Sequence, residues 1–301
     1  MKRTITLIAG PTASGKSTLA LDLAARCGGH IVNADSMQVY EGLRVLTARP
    51  DAAEMAAAPH HLYGHVAPAI AYSAGAWVRD VRALLERLPA DAPLIFVGGT
   101  GLYVRALTEG LSPMPDVPDA IRSALRARLA AEGAPALHAE LAARDPAGAS
   151  MLEPGDSQRI VRALEVLEAS GRPLADWQAQ AAEPVFGADA ITERWLVVPD
   201  RAALYHRIEA RFDAMIDAGA LDEVRALRAL NLPSDRPAMK AIGVRELGAV
   251  LDGTMDEDKA IARAKTATRQ YAKRQMTWFR NQLGADWRMV DTGVAASVAA
   301  P

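Results

Sequence analysis

Residues 10–17 read Gly-Pro-Thr-Ala-Ser-Gly-Lys-Ser and match G-x-x-x-x-G-K-[ST] at every position. Such a run curls backbone N–H groups around a phosphate and aims a helix N-terminus at it. Gly10, Pro11, Thr12, Ala13, Ser14 and Gly15 would form the cradle, Lys16 would reach the terminal phosphate, and the Ser17 hydroxyl would ligate Mg²⁺. The chemistry indicated is binding of a phosphate anhydride. A second group is Asp35, in NADSMQVY, just past a strand-like run. A carboxylate there either acts as a general base or acceptor-orienting group, or caps a helix together with Ser36. Thr100, in Gly98-Gly99-Thr100-Gly101, occupies an equivalent turn. It would hydrogen-bond a leaving-group oxygen or simply shape the turn.

Strand–helix alternation must position these groups. TITLIA (4–9), His30–Val32 and PLIFV (93–97) are short apolar, β-branched runs. Helical spacing marks Leu19, Leu23 and Cys27, and again Trp77, Val81, Leu84 and Leu85 between Tyr72 and Leu88. This alternation argues for a parallel α/β sheet with ligands beyond the carboxyl ends of its strands. After Gly110 the Pro-rich LSPMPDVPD opens an Arg/Ala-rich stretch, with helices expected at Ala120–Ala131, Pro135–Arg144 and Ser157–Ser170. WLVV (195–198) resumes the sheet. Asp200 then N-caps a helix ending at Gly219, whose Leu204, Ile208, Phe212 and Met215 form an apolar stripe and leave Arg211 off it. A last helix covers about Asp258–Gln282.

That last helix carries Lys265, Arg269 and Lys273 at i, i+4 and i+8, with Tyr271, Trp278 and Phe279 interleaved. The stripe suits a phosphodiester backbone, or is a solvated helix face. Arg122, Arg126, Arg128, Arg159 and Arg162 add a second basic group, and two such groups beside a phosphate loop favour a nucleic-acid substrate. His60, His61 and His65 lack an accompanying carboxylate cluster and read as hydrogen-bonding loop histidines rather than a metal site.

Composition bounds the rest. The chain has 301 residues, 50% hydrophobic and 23% charged, with net charge −2, which is globular and gives no global sign of a polyanionic partner. Its single cysteine, Cys27, forms no intramolecular disulfide. No apolar run reaches the roughly 20 residues of a membrane span. Thr4–Gly10 runs into the phosphate loop without a cleavage site, so no leader and a cytoplasmic location are expected. The strand PLIFV ends in Gly-Gly-Thr instead of the Asp that holds Mg²⁺ in nucleotide hydrolases, and no NKxD guanine motif occurs. Nucleotide hydrolysis is therefore disfavoured.

The strings GPTASGKS, NADSMQVY, VGGTGLY, DSQRIVRALEV, RIEARFDAMIDAG, KAIGVREL and TRQYAKRQMTWFR, in this order over about residues 5–285, resemble the tRNA dimethylallyltransferase (tRNA isopentenyltransferase) family of bacterial type. The resemblance implies transfer of a dimethylallyl group from dimethylallyl diphosphate to N6 of adenine 37 in tRNA, releasing diphosphate, with Mg²⁺. It implies that the P-loop holds the diphosphate, that Asp35 takes the amine proton, and that Thr100 contacts the bridging oxygen. Arg159 and Arg211 would neutralise the diphosphate. Asp35, Ser36, Met37 and Gln38, then Gln158, Arg159, Ile160, Val161 and Arg162, then Lys240, Ala241, Ile242, Gly243, Val244 and Arg245, with Arg122, would grip the flipped base and anticodon stem-loop. RVLTARP, with Leu46 and Arg49, stands where the family shows a GTAKP-like string. The expected fold is α/β, a P-loop NTPase-like parallel sheet flanked by helices (1–111 and 184–301) with an all-helical tRNA-binding insertion (112–183). A monomer is expected.

Three other readings compete. A small-molecule P-loop kinase with Asp35 on the acceptor leaves the two basic groups unexplained. An RNA-binding module with a vestigial loop conflicts with the intact motif, and an enzyme prenylating free adenine nucleotides has little use for the insertion.

Overall fold

The structure, a computed structural model, describes residues 3–291. Two compact units are present. One comprises the described residues up to Thr108 and from Val185 onward; the other is Glu109–Pro184.

In the first unit, β1 (Ile5–Ala9), β2 (His30–Asn33), β3 (His60–His61), β4 (Leu94–Gly98), β5 (Glu193–Val197) and β6 (Arg288–Val290) form one sheet. Its order is β3-β2-β4-β1-β5-β6, with every neighbouring pair parallel. All five residues of β1 and all five of β4 are buried, as a parallel strand covered on both faces requires. From β1 the chain reaches β2 on one side and β5 on the other, so the loop after β1 opens at the crevice of the sheet. Pairing of Ala9 with Gly98 and of Asn33 with Val97 brings the loops after β1, β2 and β4 to one edge. β3 and β6 lack an apolar run of their own; they are two and three residues long and escape sequence patterning.

Helices α1 (Lys16–Cys27), α2 (Ala52–Ala57), α3 (Ala74–Arg87) and α4 (Gly101–Thr108) precede the second unit. Trp77 of α3 is fully buried, donates its indole N–H to Asn33 O at 2.9 Å and stacks on Tyr103 with centroids 4.2 Å apart. That contact ties α3, β2 and α4 together behind the crevice.

The second unit is helical: α5 (Asp119–Glu132), α6 (Ala134–Arg144), α7 (Pro146–Ser150), α8 (Ser157–Ser170) and α9 (Leu174–Gln178). Leu125, Leu137, Leu141, Ile160, Val161, Leu164 and Leu167 make its core. Its two ends meet in an antiparallel bridge between Leu111 and Glu183.

The first unit resumes with β5 and then α10 (Arg201–Asp217), α11 (Ala220–Ala229), α12 (Val244–Leu251) and α13 (Glu257–Gln282). Asp200 caps α10 by accepting from Ala202 N at 2.9 Å and Ala203 N at 3.0 Å, bonds that hold its carboxyl below the usual range. Helix α13 packs against α10 and α12.

Candidate active site

The loop after β1 is built to receive an anion. Gly15 has φ 90°, a left-handed conformation that starts α1 and that a side chain would strain. Ala13 also lies in this region at φ 60°, which costs about 1–2 kcal/mol. Its methyl is held by Leu204 and Ile208 of α10 and Ala272 of α13. Strain held in place by packing is characteristic of binding loops. The Ser14 hydroxyl is buried with no hydrogen-bond partner, an acceptor-seeking group inside the cradle. Lys16 Nζ donates to Pro11 O at 3.1 Å. Burial pushes the Lys16 ammonium down to about 8, opposed by the Asp35 carboxylate and reinforced by Arg211. Ser17 lies in the first turn of α1, half-buried.

Asp35 is fixed from both sides. Its N–H donates to Asn33 Oδ1 at 2.8 Å, while Asn33 Nδ2 donates to Asp35 O at 2.9 Å and to Leu62 O at 3.0 Å. Asp35 Oδ1 accepts from Met37 N at 2.9 Å, closing a turn in a segment with no helix. The helix-cap reading is thereby set aside, and Oδ2 carries no hydrogen bond among the described residues. Thr100 Oγ1 accepts from Ser36 N at 2.9 Å and donates to Ser36 Oγ at 3.2 Å, so here it joins the β2 and β4 loops. Arg211 of α10 is half-buried, and burial lowers its guanidinium pKa against the pull of Glu54 and Asp35. Lys16, Asp35 and Arg211 thus share one field.

Several expected contacts take a different form. Gln38 gives both amide hydrogens to Thr47 O and Ala48 O, each at 2.9 Å, and so braces the 43–50 loop. Ile160 and Val161 belong to the core of the second unit, and Ala241 and Val244 are buried in the first. Their side chains therefore pack within the protein. The basic stripe of α13 is divided. Lys265 pairs with Asp213 at 2.6 Å and Arg269 with Glu209 at 2.5 Å, both on α10, whereas Lys273 is exposed. With Arg201, Tyr205 and Arg280, Lys273 lines a cavity of about 180 Å³. The KAIGVREL segment lines another of about 580 Å³, through Lys240, Ala241, Ile242, Val244 and Arg245. Leu46 packs on Gly243, and Arg49 donates to Tyr40 O at 2.9 Å, so both divergent residues have structural partners. Within the second unit, Gln158 and Arg159 are exposed, Arg162 meets the buried Glu165 at 3.3 Å, and Arg122 is half-buried on α5.

Sequence reasoning missed the surroundings of Asp35. Tyr63, Tyr103 and Tyr271 are each pushed up, first by burial and then by the Asp35 charge. It also missed Gln275, which is 6% exposed. No local pattern separates such residues from ordinary core or helix-face positions. The histidines make local contacts: the His60 ring meets Tyr63 edge-on with centroids 5.5 Å apart, His30 Nδ1 and His61 Nε2 are 2.9 Å apart, and His65 faces Asp80 at 3.1 Å. Burial, with His30, His60 and Arg87 nearby, holds His61 down to about 4.

The model of the family described as IPP transferase matches residues 38–282, and that of isopentenyl transferase matches residues 3–63. The chain belongs to the IPP transferase family. It is 59% identical over 288 residues to a tRNA dimethylallyltransferase of Chelativorans sp. (strain BNC1), covering 95% of this chain and 98% of that one. The corresponding Mesorhizobium japonicum protein is 60% identical, covering 95% and 89%. Among solved structures, a full-length tRNA isopentenylpyrophosphate transferase from Bacillus halodurans aligns with a TM-score of 0.66 at 32% identity, covering 97% and 92%. A eukaryotic dimethylallyltransferase acting on tRNA aligns with a TM-score of 0.77 at 25% identity, covering 96% and 74%. The IPP transferase fold is therefore that of the sheet and helices described above.

Proposed function

We propose that this IPP transferase moves a dimethylallyl group from dimethylallyl diphosphate to N6 of adenine 37 in tRNA. The observation that carries the mechanism is the common field of Asp35 after β2, Lys16 at the start of α1 and Arg211 of α10. The C–O bond of the allyl diphosphate breaks, and its electron pair leaves with the diphosphate. The N6–C bond forms, and Asp35 takes the proton released from the amine. Its Oδ1 is held by Met37 N, which leaves Oδ2 to receive that proton. The developing charge on the leaving group meets the P-loop N–H groups, the Ser14 hydroxyl, Lys16 and Arg211. Thr100 turns its hydroxyl from Ser36 to the bridging oxygen. Because carbon rather than phosphorus is attacked, no water has to be placed in line with a phosphate. That accounts for β4 ending in Gly-Gly-Thr where nucleotide hydrolases carry an acid.

The donor set fits Mg²⁺. Among the described residues no group of three or more His, Cys, Asp or Glu side chains could enclose a metal. Mg²⁺ commonly binds mainly through substrate phosphates and water with one or two protein oxygens, and the Ser17 hydroxyl would supply one. When bound, the ion neutralises diphosphate charge.

For the tRNA, exposed Lys240, Arg245 and Lys273, with exposed Gln158, half-buried Arg122 and Arg159, which pairs with Asp156 at 3.5 Å, would meet the anticodon stem-loop. The helical unit 112–183 acts as the tRNA-binding domain. The enzyme works in the cytoplasm as a monomer. Among the described residues no helix is long and apolar enough to cross a membrane.

Incubation with labelled dimethylallyl diphosphate or labelled ATP, with and without an A37-containing tRNA, tests this reading. Label should pass from the allyl diphosphate to tRNA. Transfer from ATP to a small acceptor would establish the kinase reading instead.

A further inference from the structure

One face of α13 follows the two loops that the reaction has to hold together. Ala272 packs with Ala13 of the phosphate loop, Gln275 lies one turn on, and Trp278 covers Gly101 so closely that a Cβ there would overlap the indole ring. Gln275 is 6% exposed, and its amide is used at both ends. Oε1 accepts from Thr12 N at 2.9 Å, and Nε2 donates to Gly99 O at 2.9 Å. A backbone N–H can only donate and a carbonyl only accept, so these partners define the orientation of the amide. Gly99 leaves room for it, because a Cβ there would collide with Nε2. The side chain is therefore a buried strut between the diphosphate cradle and the turn that carries Thr100.

We propose that Gln275 is a positioning residue that sets the distance between the phosphate loop and Thr100. The proposal deepens the reading above and rests on it for the identity of the reaction. Residue types explain why glutamine fits. A side chain with a donor and an acceptor on one planar group satisfies both the half-buried Thr12 N–H and the buried Gly99 O, and leaving the buried one unpaired carries the larger desolvation penalty. Positional errors of about 1 Å in holding the reacting groups reduce rate by about a hundredfold, so a strut between two binding loops acts on chemistry without touching substrate.

The test uses the full chain with Gln275→Met, similar in length but without hydrogen bonds, and Gln275→Glu. Gln275→Glu keeps the acceptor for Thr12 but sets a carboxylate against Gly99 O unless it is protonated. Val224→Ala, at a buried position of α11 itself, serves as a destabilised control. Inorganic diphosphate with Mg²⁺ is titrated calorimetrically, and single-turnover transfer is measured at saturating substrates. Gln275→Met should weaken diphosphate binding about tenfold and slow single turnover more than that, with tRNA affinity unchanged. For Gln275→Glu, the rate relative to the unaltered enzyme should climb as pH falls from roughly 8 to 6, as protonation restores a donor. Val224→Ala, despite a similar fall in Tm, should leave diphosphate affinity and turnover intact. The proposal is overturned if Gln275→Met matches the unaltered enzyme in both readouts, or if Val224→Ala reproduces its losses. Should the unaltered chain fail to transfer dimethylallyl groups, the reaction assignment falls, and the diphosphate titration alone still decides the role of Gln275.

Discussion

The crevice of the first unit and the arginine-rich helices of the second handle charge in opposite ways. In the helical unit, Arg128 meets Glu132 at 2.8 Å and Glu140 at 2.7 Å, Arg144 meets Glu140 at 2.9 Å and Glu168 at 3.4 Å, and Arg162 reaches Glu165. Most of that positive charge is cancelled on the spot. In the crevice, among the described residues, the Lys16 ammonium has only a carbonyl for a hydrogen-bond partner, the Ser14 hydroxyl has none, and Arg211 is partly desolvated. A few partly desolvated cations with no ion pair among the described residues make a stronger binding field than many charges paired at the surface. Counting arginines therefore overstates the basic character of the insertion.

The largest expected effect separates chemistry from binding. Asp35→Ala should lower single-turnover transfer by about 10²–10⁴ while tRNA affinity holds. A variant that only raises KM for tRNA would remove the proton-accepting role and leave the crevice as a binding site.

Next comes Lys16→Met, which should weaken diphosphate binding about tenfold to a hundredfold. Since Lys16 titrates near 8 in the folded protein, diphosphate affinity of the unaltered enzyme should fall as pH rises through that value. The variant should lose that dependence. Stability runs the other way. The folded pKa lies below the ordinary lysine value of 10.5, so the unfolded chain binds the proton more tightly between those limits and stability rises with pH across that window. Below about 8 the penalty is fully present. Lys16→Met should therefore raise Tm at neutral pH while impairing function. A lower Tm would mean that the loop does not hold a strained charge.

The difference between exposed and paired cations gives a smaller effect. Lys273→Ala and Arg245→Ala, exposed and without an ion pair among the described residues, should each reduce the salt slope of tRNA binding by about one unit. Lys265→Ala and Arg269→Ala, which break α10–α13 ion pairs, should change Tm more than the slope. If all four alter the slope equally, pairing is no guide to which cations meet the RNA. The smallest effect belongs to Arg128→Ala, which should leave tRNA affinity unchanged in a filter-binding assay.

The phosphate loop, the strands around it and the helices Ser157–Ser170 and 201–217 were legible because each carries a local signal: a glycine motif, a β-branched run, a cap or an apolar stripe. β3, β6 and α12 were not legible, being short and stabilised by neighbours. At the site, Lys16, Asp35, Thr100 and Arg211 were readable as chemistry-bearing types. The bracing by Asn33, the tyrosines around Asp35 and the Gln275 strut were not. Gln275 and Thr12 lie 263 residues apart, and no spacing rule spans that distance.

By itself, the sequence marked residues 10–17 as a phosphate-anhydride loop, indicated a parallel sheet, and disfavoured nucleotide hydrolysis because PLIFV runs into Gly-Gly-Thr rather than an acid. These conclusions follow from residue types within one or two turns of chain. Only the tertiary structure decided which basic residues keep their charge for a partner. A lysine on a helix reads the same whether it faces solvent or Asp213, and only packing reveals which. It also decided what holds the two loops in register. Backbone groups buried after β1 and β4 need partners, and the nearest amide able to serve both belongs to the last long helix.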